Sequence, residues 1–504
     1  MLSGDVTTLG DMDLLTTGVP NLDRLLGGGL QRGSMALVLG PPGTGKTILA
    51  QQLAFHLARQ GQTVLYHTGY SEPHQKLLTH NRSLRYFDPT LIGSRIQFLS
   101  LPDLLQRGAT EAVQVMVAQA RREGASLVVI DGFRGLRFVL GAEQGPPEFL
   151  YSLSAGLALL GITMLVLVEG EAEERERFPE LTVADVVLAL RRERQGSRHR
   201  RLLEVLKVRG AAALEGVHPY AIDTAGVTVF PRLEAVVPPG EATASEERAP
   251  FALPALDAML GGGVTAGTAT LVAGSPGTGK TVLGLQFLAA GLARDEAGLF
   301  LGFMESAEQL RVGARHFGQE TKAAEAAGRL RLLALPAYDL EADRIADLLL
   351  RDIAARGVRR LVIDSATELA RSAGDIERQT DFLAALVSAL RNCGVTTYVT
   401  LDMATVAGPE LHFGGTPLAV LAENLLLLRQ TEYRGRLHRF CMVLKMRFSA
   451  TDPTIHAYTI RAGAGFSVLG PAPQAAGLLT GLVQPSDAAL GDIGPGDGLP
   501  RAED

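Results

Sequence analysis

Gly40-Pro41-Pro42-Gly43-Thr44-Gly45-Lys46-Thr47 follows the apolar run Met35–Leu39 and precedes a helix-forming stretch, Ile48–Arg59, that Gly61 stops. The spacing is G-x-x-x-x-G-K-[ST], and a strand, a glycine loop and a helix form the context in which that spacing binds phosphate. Glycines let successive backbone N–H groups turn inward around a β-phosphate, and the helix N-terminus adds positive potential there. Lys46 is placed to reach the β/γ oxygens, and the Thr47 hydroxyl to help hold Mg²⁺. The competing reading is a glycine turn with a surface lysine. It fails because the whole motif recurs: Gly274-Ser275-Pro276-Gly277-Thr278-Gly279-Lys280-Thr281 stands between the apolar Thr270–Ala273 and Val282–Leu292.

The recurrence extends over the chain. Pro20, Leu22, Asp23 and Gly27–Gly29 match Pro254, Leu256, Asp257 and Gly261–Gly263 at an offset of 234, the same as from Lys46 to Lys280. Glu72 to Glu305 and Asp131 to Asp364 are each 233; Lys207 to Lys445 and Arg209 to Arg447 are each 238. A register held this closely means tandem copies of one domain. The expected organisation is a first domain over 14–233, a linker rich in Pro, Glu, Ala and Ser over 234–249, a second domain over 250–469, and a Gly/Pro/Ala-rich tail over 470–504 without fixed structure.

Composition narrows the class. A length of 504 residues with 46% hydrophobic and 20% charged content fits two globular domains. A net charge of −6 offers no general attraction to nucleic acid or to an acidic membrane surface. Cys393 and Cys441 carry no metal spacing, and a reducing cytoplasm fits them. Phe149–Val168 is twenty residues without a charge, the length of a spanning helix, but Gly156 and Gly161 interrupt it. A helix, a glycine stop and a buried strand explain it, so no membrane span is expected. Only six of the 48 basic residues are lysine, and four of those six fall in paired motifs: Lys46, Lys280, Lys207 and Lys445. A lysine retained among arginines points to a site needing a compact charge.

Further candidates follow in order. Glu72 lies just past the strand Thr63–His67, expected to run beside the phosphate-loop strand, where a carboxylate could orient an attacking water or could merely cap the next helix. In the second copy Tyr70-Ser71 becomes Phe303-Met304 while Glu305 is kept, which favours a role for both glutamates. Ser126–Asp131 and Leu361–Asp364 are apolar runs ending in an acid, as expected of the Mg²⁺-side aspartate of such nucleotidases. Val395–Leu401 is a buried strand on which the polar Thr400 could sense a γ-phosphate. Arg191–Arg201 reads as a charged turn with six arginines and one glutamate. It is open to a nucleic-acid reading, although no stacking aromatics interleave, and to a solvated hairpin or subunit contact. Lys207 and Arg209, like Lys445 and Arg447, are alternate strand residues whose cations share one face and suit an anionic oxygen cluster.

With these residues in place the chain resembles the KaiC family of tandem RecA-like ATPases. The likeness rests on TGVPNLDRLLGGGLQRG before the first phosphate loop, on LPALDAMLGGGVTAG before the second, and on LKVRG and LKMR near the domain ends. It implies an α/β fold of two tandem RecA-like domains, each a mostly parallel, doubly wound sheet flanked by helices, with ATP and Mg²⁺ at the strand carboxyl ends. It further implies a two-tiered homo-hexamer with ATP at subunit interfaces, and a regulatory protein partner. There Lys207 and Arg209, and Lys445 and Arg447 in the second tier, would contact a neighbour's nucleotide in trans.

The sequence also departs from the family pattern. KaiC proteins usually carry two adjacent glutamates after the second strand; here Ser71 and Met304 replace the first of each pair. If that first glutamate is the base, hydrolysis is slow in both tiers. Gly132 stands where a serine is usual. The Ser-Thr pair that clock-type members autophosphorylate aligns with Ala419 and Val420, which have no hydroxyl, and Thr416 is out of register. The expectation is a Mg·ATP-binding ATPase with two sites per chain. The alternatives are a RecA-type DNA-associated ATPase and a nucleotide-binding scaffold with little turnover.

Overall fold

The computed structural model describes residues 13–69, 81–106, 108–133, 145–171, 179–195, 198–238, 245–336, 341–403, 418–433, 436–447, 449, 451–472, 475–476 and 484–485. Glu72 and Thr416, and all of the tail beyond 485, lie outside them. The chain divides into two compact units between Val236 and Val237.

In the first unit the strands are β1 (Met35–Gly40), β2 (Thr63–Thr68), β3 (Ile96–Ser100), β4 (Ala125–Asp131), β5 (Thr163–Glu169), β6 (Val186–Gln195), β7 (Arg198–Val208), β8 (Val217–Asp223) and β9 (Gly226–Val229). They form one sheet in the order β9-β8-β7-β6-β1-β5-β4-β2-β3. From β6 to β3 every pairing is parallel, and from β6 to β9 every pairing is antiparallel. All six residues of β1 are buried, as a parallel strand covered on both faces requires. Ala36 and Val38 pack with Leu49, Leu53 and Leu57 of helix α1 (Lys46–Arg59). Leu37 and Leu39 pack on the other face, with Met116 of α2 (Ala109–Arg122) and Leu153 of α3 (Pro146–Ala158). Period-two alternation along β1 therefore feeds two separate cores. The uncharged stretch from Phe149 divides between α3 and β5, and no helix among the described residues is long and apolar enough to cross a membrane.

The second unit repeats the plan. Its strands are β10 (Ala269–Gly274), β11 (Ala297–Gly302), β12 (Leu330–Ala334), β13 (Val358–Asp364), β14 (Thr396–Asp402), β15 (Asn424–Tyr433), β16 (Arg436–Met446), β17 (His456–Arg461) and β18 (Gly465–Pro471). Their order is β12-β11-β13-β14-β10-β15-β16-β17-β18, the same topology read from the other edge. Helix α4 (Lys280–Leu292) follows its phosphate loop as α1 follows the first.

Three local expectations change. The strand before Glu72, β2, lies between β4 and β3 rather than beside the phosphate-loop strand β1, which β5 and β6 flank. The charged segment from Arg191 to Arg201 is strand rather than turn, since only two residues separate β6 from β7. The ladder continues through it, with Arg192 opposite Arg201 and Glu193 opposite Arg200. Successive side chains leave on opposite faces, which divides the charge, and Arg191 is neutralised by an ion pair with Glu204. Within 234–249, Val236 ends a short helix from Leu233, and Arg248–Ala249 pairs with Val264–Thr265 as Leu14–Leu15 pairs with Gln31–Leu30.

One buried group makes the first unit acid-sensitive. His67 on β2 is fully buried, and neither ring nitrogen has a hydrogen-bond partner among the described residues. Burial pushes its pKa down to about 4, because the charged imidazolium loses its hydration. In the second unit the matching place, opposite Ile363 as His67 is opposite Ile130, holds Leu301. A depressed pKa means that stability is fully present above the unfolded value near 6.5 and is lost as pH falls through about 4. His67→Leu is therefore expected to gain on the order of 3 kcal/mol over wild type between pH 7 and pH 4. Denaturant midpoints measured across that range check it; parallel pH profiles for the two proteins would contradict it.

Candidate nucleotide sites

Each phosphate loop leaves the end of the strand at the middle of its sheet and enters a helix directly. Two glycines make that path possible. A Cβ on Gly40 would lie 2.7 Å from the Leu190 carbonyl oxygen, and one on Gly274 would lie 2.6 Å from that of Leu428, so the neighbouring strand passes where a side chain would be. Gly45 and Gly279 have φ of 95° and 90°, and a Cβ there would overlap Ile222 and Ile460 respectively. The loops are braced alike. Thr44 Oγ1 donates to the Pro41 carbonyl and Thr278 Oγ1 to that of Ser275, each at 2.8 Å. Tyr220 and Tyr458 donate their hydroxyls to the carbonyls of Thr44 (2.5 Å) and Thr278 (2.6 Å).

Lys46 Nζ donates to the Gly40 and Pro41 carbonyls at 2.7 and 3.0 Å, and Lys280 Nζ to those of Gly274 and Ser275 at 2.9 and 3.0 Å. Both ammonium groups thus fold over their own loop. Burial lowers the Lys46 pKa, opposed by the negative charges of Glu169 and Asp131. Asp131, at the end of β4, accepts hydrogen bonds from Tyr66 at 2.8 Å and from the Thr47 hydroxyl. Burial raises its carboxyl above the usual range in spite of both donors. Asp364, at the end of β13, accepts from Thr281 Oγ1 at 2.6 Å and from Thr400 Oγ1 at 2.5 Å. Thr400, expected to face a phosphate, is committed to this aspartate.

Glu305 lines the second cavity beside Asp364, Glu368 and Asp402. Glu305 is exposed at the cavity wall, and its carboxyl is raised, first by partial loss of hydration and then by those neighbouring carboxylates. The cavities enclose about 410 and 540 Å³, the size of small-ligand sites.

Sequence reading missed two pairs of lining residues. Glu169 and Asp402 end β5 and β14, next to the phosphate-loop strand, and Asp402 makes a 2.8 Å ion pair with Lys280. Their 233-residue offset would have found them. Arg201 and Arg439, 238 apart on β7 and β16, also line the cavities, and each Nε is buried without a hydrogen-bond partner among the described residues. A glycine-rich loop entering a helix, a lysine and a half-buried arginine whose Nε has an unmet donor fit a polyphosphate. Thr47 with Asp131, and Thr281 with Asp364, fit a hydrated divalent cation shared with that polyphosphate. Among the described residues no group of three or more His, Cys, Asp or Glu could hold a metal unaided.

The other paired cations stand elsewhere. Lys207 Nζ donates to the Leu181 and Thr182 carbonyls at 3.4 and 3.1 Å, and Arg209 reaches Asp185 at 3.2 Å and the Thr182 carbonyl at 3.4 Å. Lys445 donates to the carbonyls of Ala419, Val420 and Ala422 at 3.2, 3.2 and 2.8 Å, and Arg447 to that of Val420 at 2.9 Å. None of the four lines the cavity of its own unit.

A sequence model described as "ATPase: KaiC" matches residues 15–234 and again 249–472. The chain belongs to the KaiC family of ATPases. It is 27% identical over 465 residues to the circadian clock oscillator protein KaiC of Picosynechococcus sp., covering 89% of this chain and 88% of that protein. It is likewise 27% identical over 466 residues to the circadian clock protein KaiC3 of Synechocystis sp., covering 89% and 90%. Both KaiC-family repeats thus carry the phosphate loop, the braced lysine and the hydroxyl–aspartate pair.

The glycine constraint can be tested separately in each repeat. Gly45→Ala combines an unfavourable φ with an overlap on Ile222, and Gly279→Ala does the same against Ile460. Each is expected to weaken binding of a fluorescent ATP analogue at its own site by about tenfold or more, while circular dichroism stays unchanged. Wild-type affinity at both sites in either variant would show that the loop path does not need these glycines.

Proposed function

We propose that this chain is a Mg²⁺-dependent ATPase with one nucleotide site in each unit. The observation that carries the reading is the hydroxyl–aspartate pair beside each phosphate loop, most directly Thr281 Oγ1 at 2.6 Å from Asp364. The loops Gly40–Thr47 and Gly274–Thr281 bind the β- and γ-phosphates through backbone N–H groups, and Lys46 and Lys280 leave their own carbonyls to meet the phosphate oxygens. Thr47 with Asp131, and Thr281 with Asp364, hold Mg²⁺, which when bound neutralises charge on the β/γ oxygens. Arg201 and Arg439 add positive charge within the same unit.

Glu305, and Glu72 in the first unit, orient the attacking water and accept its proton. Partial loss of hydration at the cavity wall, and then the neighbouring carboxylates, make the Glu305 carboxylate more basic than usual, which suits that task. Lys207, Arg209, Lys445 and Arg447 contact the nucleotide of a neighbouring chain in a hexameric ring. Their positions outside their own cavities support a trans role. Slow hydrolysis switches the conformation that a regulatory protein partner reads, in the cytoplasm. Ala419 and Val420 carry no hydroxyl to phosphorylate, so clock-type autokinase chemistry has no acceptor at those positions.

One observation favours a second reading, a nucleotide-binding scaffold with little turnover. Met304, not a carboxylate, lines the second cavity next to Glu305, and it is 74% exposed.

Incubation with γ-labelled ATP and Mg²⁺, followed by separation of free from protein-bound phosphate, distinguishes these. The ATPase reading expects free phosphate only, reduced in Lys46→Ala and in Lys280→Ala and abolished in the double variant. Label on the protein would overturn the argument from Ala419 and Val420. No release with nucleotide still bound would leave the scaffold.

A further inference from the structure

In both units the strand carrying the Mg²⁺-side aspartate lies between the same two neighbours: β4 between β2 and β5, and β13 between β11 and β14. Each aspartate takes one hydroxyl from its phosphate-loop threonine and a second from a flanking strand, but the flank differs. In the first unit the second donor is Tyr66 on β2, at 2.8 Å from Asp131 Oδ2. In the second it is Thr400 on β14, at 2.5 Å from Asp364 Oδ1.

Strand register makes the positions comparable. Tyr66 is opposite Val129 and Phe300 is opposite Val362, each two residues before its aspartate. Leu167 is opposite Val38 and Thr400 is opposite Val272, each two residues before the glycine that ends the phosphate-loop strand. Tyr66 and Leu167 thus become Phe300 and Thr400. The hydroxyl has crossed from one side of the acid to the other, and an apolar residue occupies the vacated place each time. All four side chains are at most 2% exposed, so neither hydroxyl readily exchanges its carboxylate for water.

We propose that Tyr66 and Thr400 are equivalent positioning residues, each fixing the carboxylate of the Mg²⁺-side aspartate from an opposite flanking strand. The proposal rests on the ATPase reading above. A carboxylate held by one hydroxyl can rotate about its Cβ–Cγ bond. A second donor on a rigid neighbouring strand fixes the face it offers to a hydrated cation. Outer donors of this kind set metal affinity without touching the metal. Phe300 and Leu167 complete the same packing without a donor, so a hydroxyl on either flank meets the requirement.

The test transplants the hydroxyl. Lys280→Ala silences the second site of the full-length chain, and Mn²⁺ is titrated with a non-hydrolysable ATP analogue, with bound Mn²⁺ read by electron paramagnetic resonance. Tyr66→Phe is expected to raise the half-saturating Mn²⁺ concentration about tenfold, with metal-free analogue binding unchanged. Adding Leu167→Thr should restore it to within about threefold. In the Lys46→Ala background, Thr400→Val and its repair by Phe300→Tyr should behave the same way. A role in packing alone predicts no repair, because the double variants move the hydroxyl to the far side of the strand. Unchanged Mn²⁺ dependence in both single variants, or loss without repair in both units, overturns the proposal. Absence of Mn²⁺-dependent nucleotide binding in the parent chains overturns the ATPase reading together with it.

Discussion

A phosphate loop binds an anion only if its backbone can pass close to its neighbours with the N–H groups turned inward. In this chain that depends on two places where no side chain fits. The carbonyls of Leu190 and Leu428 occupy the space beside Gly40 and Gly274, and Ile222 and Ile460 fill the space beside Gly45 and Gly279. The antiparallel extension from β6 to β9, and from β15 to β18, brings those groups there. The extension is therefore part of the site. It also carries Tyr220 and Tyr458, which hold the loop from behind, and Arg201 and Arg439, which face into the cavity.

The parallel half of each sheet has the complementary task of placing acids. Asp131 and Glu169, like Asp364 and Asp402, end adjacent strands beside the loop, so the parallel register brings two carboxylates to one edge. Asp131 is buried, where a charge without partners would be unfavourable, whereas Glu169 and Asp364 are half-buried and Asp402 is exposed; the hydroxyl partners of the two aspartates differ between the units. The first unit uses a tyrosine from the outer side, and the second a threonine from the loop side. The two copies thus keep one backbone plan and one charge plan while differing in how the acid is held.

What was legible in the chain was what is local or repeated. The loops announce themselves within eight residues, and the apolar runs ending in Asp131 and Asp364 became convincing through their common offset. The doubly wound sheets were implied by the resemblance to the KaiC family that these repeated motifs carry. Contacts across strands were not legible. That Tyr66 reaches Asp131 depends on β2 lying beside β4, and nothing in either strand states that order. Arg201 seemed one of six arginines in a charged turn until pairing with Arg192 placed it in a strand facing the cavity. His67 looked like any residue in a strand end, because its burial is set by what packs over β2. Thr400 was recognised as a polar residue in a buried strand, but its partner belongs to a strand more than thirty residues earlier.

The central claim is that each unit holds one Mg·ATP. Equilibrium dialysis of the full-length chain against a labelled non-hydrolysable ATP analogue, with and without Mg²⁺, measures it directly. The account predicts two molecules bound per chain with Mg²⁺, and one per chain when either Lys46 or Lys280 is replaced by alanine. A single molecule per chain in the unsubstituted protein, or two that persist when both lysines are replaced, would contradict it.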